Sequence, residues 1–253
     1  KYKNIIDNLE KIIKADLNDI ESKFIDFSMH LSKNEKKKVE LIFEYSTYRQ
    51  KDSFMNHFKK LDIKSCPFCN NNYIYFYRKG AGKYNTLATL EHYYPKAQYP
   101  HLSLTFYNLI PSCSICNSKF KGSGKHIGKI AHPYYDDFSK DSKFSVKLKK
   151  SSKGLDLDIE LEAFNEKAEM TIDRFKLDDV YKEHNDIAKE ICNKAQANSD
   201  SRIEELYTSF YKKMGYSKED VKNMIFCNYL HKDDINKRNH SKLTQDILKQ
   251  FGI

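Results

Sequence analysis

The sequence predicts an α+β protein, with helices at both ends and a loop-rich middle built on short strands. Three observations predict it. Apolar residues recur at helical spacing before about residue 60 and again from Phe164 onward. All five prolines and five of the eight glycines fall between Ile63 and Tyr135. One later stretch alternates with period two. The chain thus divides into an N-terminal helical region (1–60), a compact core (61–138), and a β-hairpin followed by helices (139–253). A length of 253 residues is one large domain or two small ones, enough to bury a core.

The elements follow in order. Ile5, Ile6, Leu9, Ile12 and Ile13, then Ile20, Phe24, Phe27 and Leu31, mark the apolar faces of two helices. Ser32 to Glu35 reads as a capping box, opening a third helix through Val39, Ile42 and Phe43. Tyr73, Tyr75, Phe76 and Tyr77 lie in a strand that leads into Arg78 and Lys79. Ala88 to Tyr94 is a short strand ended by Pro95. The stretch FSVKLKKSSKGLDLDIELEA alternates across a turn ending at Gly154. Lys143, Lys147 and Lys149 on one strand complement Asp156, Asp158 and Glu160 on the other. The helices that follow stop at Gly215 and restart at Ser217. No apolar run approaches the ~18 residues of a membrane span, and no signal-peptide pattern opens the chain. The expected setting is cytoplasmic, with no membrane partner.

The net charge of +9 is concentrated. Ile63 to Tyr135 holds nine Lys/Arg (Lys64, Arg78, Lys79, Lys83, Lys96, Lys119, Lys121, Lys125, Lys129) and a single acid, Glu91. The rest of the chain is nearly balanced. Charge kept only for solubility would be spread evenly, so this footprint points to a polyanionic partner, nucleic acid above all. Lys121, Lys125 and Lys129, interspersed with Gly122, Gly124 and Gly128, form a basic loop suited to backbone phosphates. The tyrosines before Arg78 offer rings for base stacking.

Four of the six cysteines form two Cys-x-x-Cys pairs, Cys66/Cys69 and Cys113/Cys116. Each pair puts two thiolates about one turn apart, and together they supply the four soft ligands of a closed tetrahedral zinc site. A four-sulfur site leaves no position for substrate, so this zinc is structural. Cys192 and Cys227 stand alone in helical segments and read as small buried apolar side chains.

Glu91 and His92 stand together inside the basic region. A carboxylate there weakens the positive field, which makes sense if it holds a divalent cation. Mg²⁺ takes hard oxygen ligands, and the amide of Asn117 would suit as a second. An imidazole at His92 is then placed to deprotonate an attacking water. Of the nearby histidines, His101 reads as a surface loop residue, and His126 and His132 as hydrogen-bonding groups that pin the exit of the basic region.

The run LEHYYPK…YNLIPSCSICNSKFKG, from Leu90 to Gly122, resembles the motif of the HNH endonucleases, whose core is a ββα-metal finger, in the version pinned by two Cys-x-x-Cys pairs. The resemblance covers about Ser65 to His132. It implies His92 as general base and Glu91 as the adjoining metal-binding acid. Asn108 becomes the residue bracing the loop that orients the histidine, Asn117 a metal ligand, and Lys119 a phosphate contact. Glu replaces the commoner Asp, and Asn fills the last position. The implied activity is Mg²⁺- or Mn²⁺-dependent hydrolysis of DNA phosphodiester bonds, with Lys96, Lys119, Lys121, Lys125, Arg78 and Lys79 on the backbone. The alternatives are a degenerate zinc-stabilised nucleic-acid-binding module and an RNA-cleaving nuclease. The helical flanks make the chain similar to HNH effectors of bacterial antiphage systems, including Septu-type pairs. That context implies an ATPase subunit as partner, and the flanks equally suit a homo-oligomer.

Overall fold

The computed structural model describes residues 3–120, 127–151 and 154–253. Contacts divide the chain into two compact units, Lys1–Ile63 with Ile74–Asp136, and Lys64–Tyr73 with Asp137–Ile253. These units and the compositional division at 60/61 and 138/139 partition the chain differently: the first knuckle, Cys66 to Cys69, belongs with the C-terminal elements.

In the first unit the N-terminal apolar pattern forms helices broken into short pieces, α1 (Lys3–Asp7) and α2 (Leu9–Lys14), then a π-helical turn over Ile20–Phe24. Ile5, Ile12, Ile20 and Phe24 are buried, whereas Ile6 is exposed. Ser32 and Glu35 make the expected reciprocal capping box at the start of α3 (Lys33–Phe43). Glu44 then adopts a left-handed conformation (φ 41°), ends α3 and starts α4 (Tyr45–Tyr48) in a new direction. Helix α5 (Asp52–Lys59) follows.

Two antiparallel pairs complete the unit: β1 (Phe76–Gly80) with β2 (Lys83–Thr86), and β3 (Thr89–His92) with β4 (Leu109–Ser112). The first observed strand is shifted along the chain from the sequence pattern, beginning at Phe76, and the strand expected over Ala88–Tyr94 is shorter, spanning Thr89–His92. In the second pair His92 stands opposite Leu109 and Glu91 opposite Ile110. Met55 and Phe58 of α5 pack against Leu90 and Leu109, with Tyr45, Phe76 and Phe106 around them. This core fixes the end of β3 where His92 emerges.

The second unit contains the expected hairpin, β5 (Ser142–Ser151) with β6 (Gly154–Ala163), in which Lys147 stands opposite Asp158 and Lys149 opposite Asp156. Lys147 reaches Glu160 at 2.5 Å and Lys149 reaches Asp158 at 3.4 Å. The chain continues through α6 (Glu166–Phe175), α7 (Leu177–Lys182), α8 (Asn185–Ala197), α9 (Asp200–Ser209) and α10 (Lys218–Phe226) to α11 (Ser241–Gln250). Gly215 (φ 82°) supplies the stop, and Ser217 with Asp220 the capping box of the restart. Among the described residues no helix is long and apolar enough to cross a membrane.

Helix α11 is the most deeply set, buried from Ser241 to Leu248. It carries a buried ion pair, Lys242 Nζ to Asp246 at 2.6 Å, with the two residues 3% and 4% exposed. The ammonium also donates to the Ser142 carbonyl, and the carboxylate accepts from the Phe144 amide. Lys242→Ala is expected to lower stability by about 3–5 kcal/mol, because it removes the buried cation and leaves Asp246 only the exposed Lys249, 3.5 Å away. The paired change to Met and Leu should restore most of that loss. Chemical denaturation of the wild type and the two variants checks this.

Two expectations are corrected here. His101 is not a surface loop residue: it is fully buried, its Nε2 is 2.8 Å from the Phe24 carbonyl, and burial drives its pKa down to about 4. Its ring stacks on Phe27. A polar ring is tolerated there because the end of the Ile20–Phe24 turn offers a carbonyl. Cys192 is buried as expected, but Cys227 is exposed. It occupies the left-handed C-cap of α10 (φ 53°), with Lys194 Nζ 3.6 Å from its sulfur.

Candidate functional site

The two knuckles are shaped by their own backbones. Asn70 N–H donates to the Cys66 carbonyl at 2.7 Å, and Asn70 takes the left-handed conformation (φ 45°) that closes the turn. Its side chain then anchors the knuckle. Nδ2 donates to the Ile235 and Arg238 carbonyls at 2.7 and 3.2 Å, and Oδ1 accepts from Lys242 N–H at 3.1 Å. Tyr181 donates to the Cys69 carbonyl at 2.7 Å. In the first knuckle Asn72 Nδ2 also lies 3.7 Å from Cys69 Sγ, and in the other Cys116 N–H points at Cys113 Sγ (3.4 Å).

The ligand atoms of Cys66, Cys69, Cys113 and Cys116 lie within 4.8 Å of one another, and all four residues are buried. Tetrahedral zinc–thiolate bonds of about 2.3 Å place sulfurs roughly 3.8 Å apart, so this cluster fits a zinc ion. Four thiols and N–H donors directed at sulfur are the donor set of a closed structural site.

The predicted nuclease residues gather at the β3–β4 pair. His92 is 4% exposed, with Nε2 3.1 Å from the Ser103 carbonyl, and its ring meets the Tyr45 ring at 4.6 Å. An Nε2–H donor to that carbonyl puts the ring's lone pair on Nδ1. Asn108 braces the intervening loop. Its Oδ1 accepts from Tyr94 N–H at 2.7 Å, and its Nδ2 donates to the Tyr94 and Leu102 carbonyls at 3.1 and 2.9 Å. Asn108→Ala should cost about 2–4 kcal/mol, because it removes these bonds and strands buried backbone groups. Thermal and denaturant unfolding measure it.

Glu91 is 2% exposed, a buried carboxylate next to His92 in the chain. Asn117 is half-buried in the five-residue π-helical turn Ile115–Lys119, which packs against β3. Lys119, Lys96, Arg78 and Lys79 are exposed, as phosphate contacts require. Lys121, Lys125 and His126, with Gly122 and Gly124, lie outside the described residues. His132 is buried, its Nε2 2.9 Å from the Tyr107 carbonyl and its N–H donating to Asp136 at 2.8 Å. It pins the segment leaving the basic region. Of the aromatic run, Tyr73, Tyr75 and Tyr77 are exposed and Ile74 is buried.

Sequence reasoning missed Tyr45 and Arg49. Both sit in the N-terminal helical region, outside the basic stretch, and their four-residue spacing was the available signal. Burial raises the Tyr45 phenol pKa; Arg49 partly offsets this and Glu91 adds to it. The hydroxyl therefore stays protonated, within electrostatic reach of Glu91.

The fold and site define a mixed α+β chain with a buried four-cysteine centre that fits structural zinc. The chain is similar to protein ea31 of Escherichia phage lambda, 27% identical over 107 residues, which make up 40% of this chain and 32% of that protein. It thus spans about a third of the length of that relative. No family model matches the chain, and no solved structure matches it at a significant level.

Proposed function

We propose that the protein is a metal-dependent endonuclease of the HNH type, hydrolysing DNA phosphodiester bonds with His92 as general base. The observation that carries this reading is the buried arrangement of His92, Ser103 and Asn108. A loop braced by Asn108 presents a carbonyl that fixes one ring nitrogen of His92 and leaves the other as the basic one. The concentrated positive charge around Glu91 supports a phosphodiester substrate.

In this reading His92 Nδ1 takes a proton from water as the water oxygen bonds to phosphorus. The bond from phosphorus to the 3′-oxygen breaks in line, and the leaving oxygen takes a proton from solvent. The resemblance implies 5′-phosphate and 3′-hydroxyl ends. Glu91 and Asn117 would hold Mg²⁺ or Mn²⁺; a buried carboxylate and an amide oxygen are the hard donors such ions accept. When bound, the ion supplies charge stabilisation at the phosphoryl and leaving oxygens. Lys119 and Lys96 contact the backbone.

Supercoiled plasmid DNA and a matched single-stranded and duplex RNA panel, each with Mg²⁺ and Mn²⁺, test the activity. DNA nicking is expected; cleavage of RNA alone would reassign the substrate. One observation favours a second reading: the close packing of His92 against Tyr45 also suits a structural histidine in a zinc-stabilised binding module. DNA binding by a chain inert with every divalent metal, alone and with its partner, would establish that reading instead. An ATPase subunit that docks on the helical flanks and controls cutting belongs to the same proposal as the endonuclease, and co-purification from the native operon tests it.

A further inference from the structure

Beside His92 the first unit opens a groove of about 540 Å³, lined by Tyr45, Arg49, Lys79 and Lys96 among others. Asp52 also lines it, but that carboxylate pairs with Lys83 at 3.2 Å. Arg49, Lys79 and Lys96 face the groove with no carboxylate partner among the described residues. The groove is therefore cationic, and its three cations come from three separate segments: the end of α4, strand β1, and the loop after β3.

Tyr45 links the groove to His92. Its ring packs edge-on against the imidazole at 4.6 Å, and Lys96 Nζ lies 5.8 Å from the ring centroid. Its buried hydroxyl has no hydrogen-bond partner among the described residues, and neither has Ser103 Oγ, which shares a second cleft with Tyr45 and Lys96. A buried hydroxyl without an acceptor is costly and points to a function at that place. The backbone tells the same story. Glu44, a non-glycine residue in the left-handed region, breaks the helix immediately before Tyr45 and sends α4 off in a new direction.

We infer that this groove is the phosphodiester-backbone cleft, in which Arg49, Lys79 and Lys96 hold flanking phosphates and the Tyr45 hydroxyl donates to a non-bridging oxygen of the phosphate presented to His92. The inference rests on the endonuclease reading for its catalytic part alone. The groove's affinity for a nucleic-acid backbone stands independently. Hydrogen-bond donation to a non-bridging oxygen gains strength as negative charge builds there in the transition state, so Tyr45 acts on rate more than on affinity. The two lysines and Arg49 contact phosphates that do not react, so they act on affinity and its salt dependence.

The test uses the full zinc-loaded chain, with labelled duplex DNA and duplex RNA titrated over a salt series without added Mg²⁺, followed by plasmid nicking with Mg²⁺. Arg49→Ala and Lys96→Ala should each weaken DNA binding and each lower the salt slope by about one. Lys33→Ala, on exposed α3 outside the groove, should leave the slope unchanged. Tyr45→Phe keeps the ring against His92. It should bind DNA like the wild type and nick about 10²–10³-fold more slowly. Unchanged salt slopes in both cation variants would overturn the groove assignment, and wild-type nicking by Tyr45→Phe would overturn the role of the hydroxyl. The same slope changes on RNA alone would transfer the groove from DNA to RNA and overturn the DNA assignment. If the wild type nicks nothing, the endonuclease reading and the Tyr45 role fall together. The binding slopes then decide the groove by themselves.

Discussion

Replacing His92 with alanine is expected to lower metal-dependent DNA nicking by about 10²–10⁴-fold while leaving DNA affinity within a few-fold of the wild type. Loss of a general base removes proton transfer in the transition state but no ground-state phosphate contact, so the effect falls on turnover. His92 is buried beneath Tyr45, so alanine also opens a cavity, and a melting curve must accompany the assay. His92→Gln is the companion variant. It can still reach the Ser103 carbonyl through its amide N–H, yet it lacks a basic nitrogen. A variant that folds like the wild type and nicks as slowly as His92→Ala separates base catalysis from packing. Nicking at wild-type rates by either variant would remove His92 from the chemistry.

The second large effect concerns the cysteine cluster. One zinc per chain is expected in the purified protein, and Cys66→Ser or Cys113→Ser should reduce that content and destabilise the fold severely. Structural zinc contributes about 10–16 kcal/mol in zinc-finger peptides, a gain comparable with the entire stability of a domain. Even a loss of about 3 kcal/mol lowers the melting temperature by roughly 6–12 °C for a chain of this size. Elemental analysis and thermal unfolding with and without a strong chelator measure both quantities. A zinc-free wild-type chain whose melting ignores chelator would contradict the assignment. The cost should extend to Asn70, whose side chain ties the first knuckle to the start of α11, since a metal-free knuckle no longer holds that turn.

The features legible in the sequence are those written in local patterns. The capping box at Ser32, the hairpin from Ser142 to Ala163 and the stop at Gly215 each depend on neighbours within a few residues, and each formed as read. The Cys-x-x-Cys pairs were legible for the same reason, because metal-ligand spacing is itself a local signal. The charge count located the basic stretch but not its groove. Arg49 lies outside that stretch, beyond the left-handed Glu44 that separates α3 from α4, and lines the groove. Tyr45 was invisible for a related reason: a tyrosine at helical spacing looks like any other packing residue until a histidine is placed against it. His101 failed in the opposite sense, because its partner, the Phe24 carbonyl, lies 77 residues away in sequence. The exposure of Cys227 followed from a left-handed cap that helical periodicity does not register. The role of Asn108 came from the resemblance alone, and its hydrogen bonds are those a loop brace would make.

The most direct test of the central claim is a ligase-resealing assay. Supercoiled plasmid is incubated with the zinc-loaded chain and Mg²⁺, and the product is then treated with DNA ligase. Nicked circles that ligase closes are expected, because hydrolysis through His92 leaves 5′-phosphate and 3′-hydroxyl ends, and no such circles are expected with His92→Ala. Intact plasmid with both Mg²⁺ and Mn²⁺, or equal nicking by the wild type and His92→Ala, would contradict that claim.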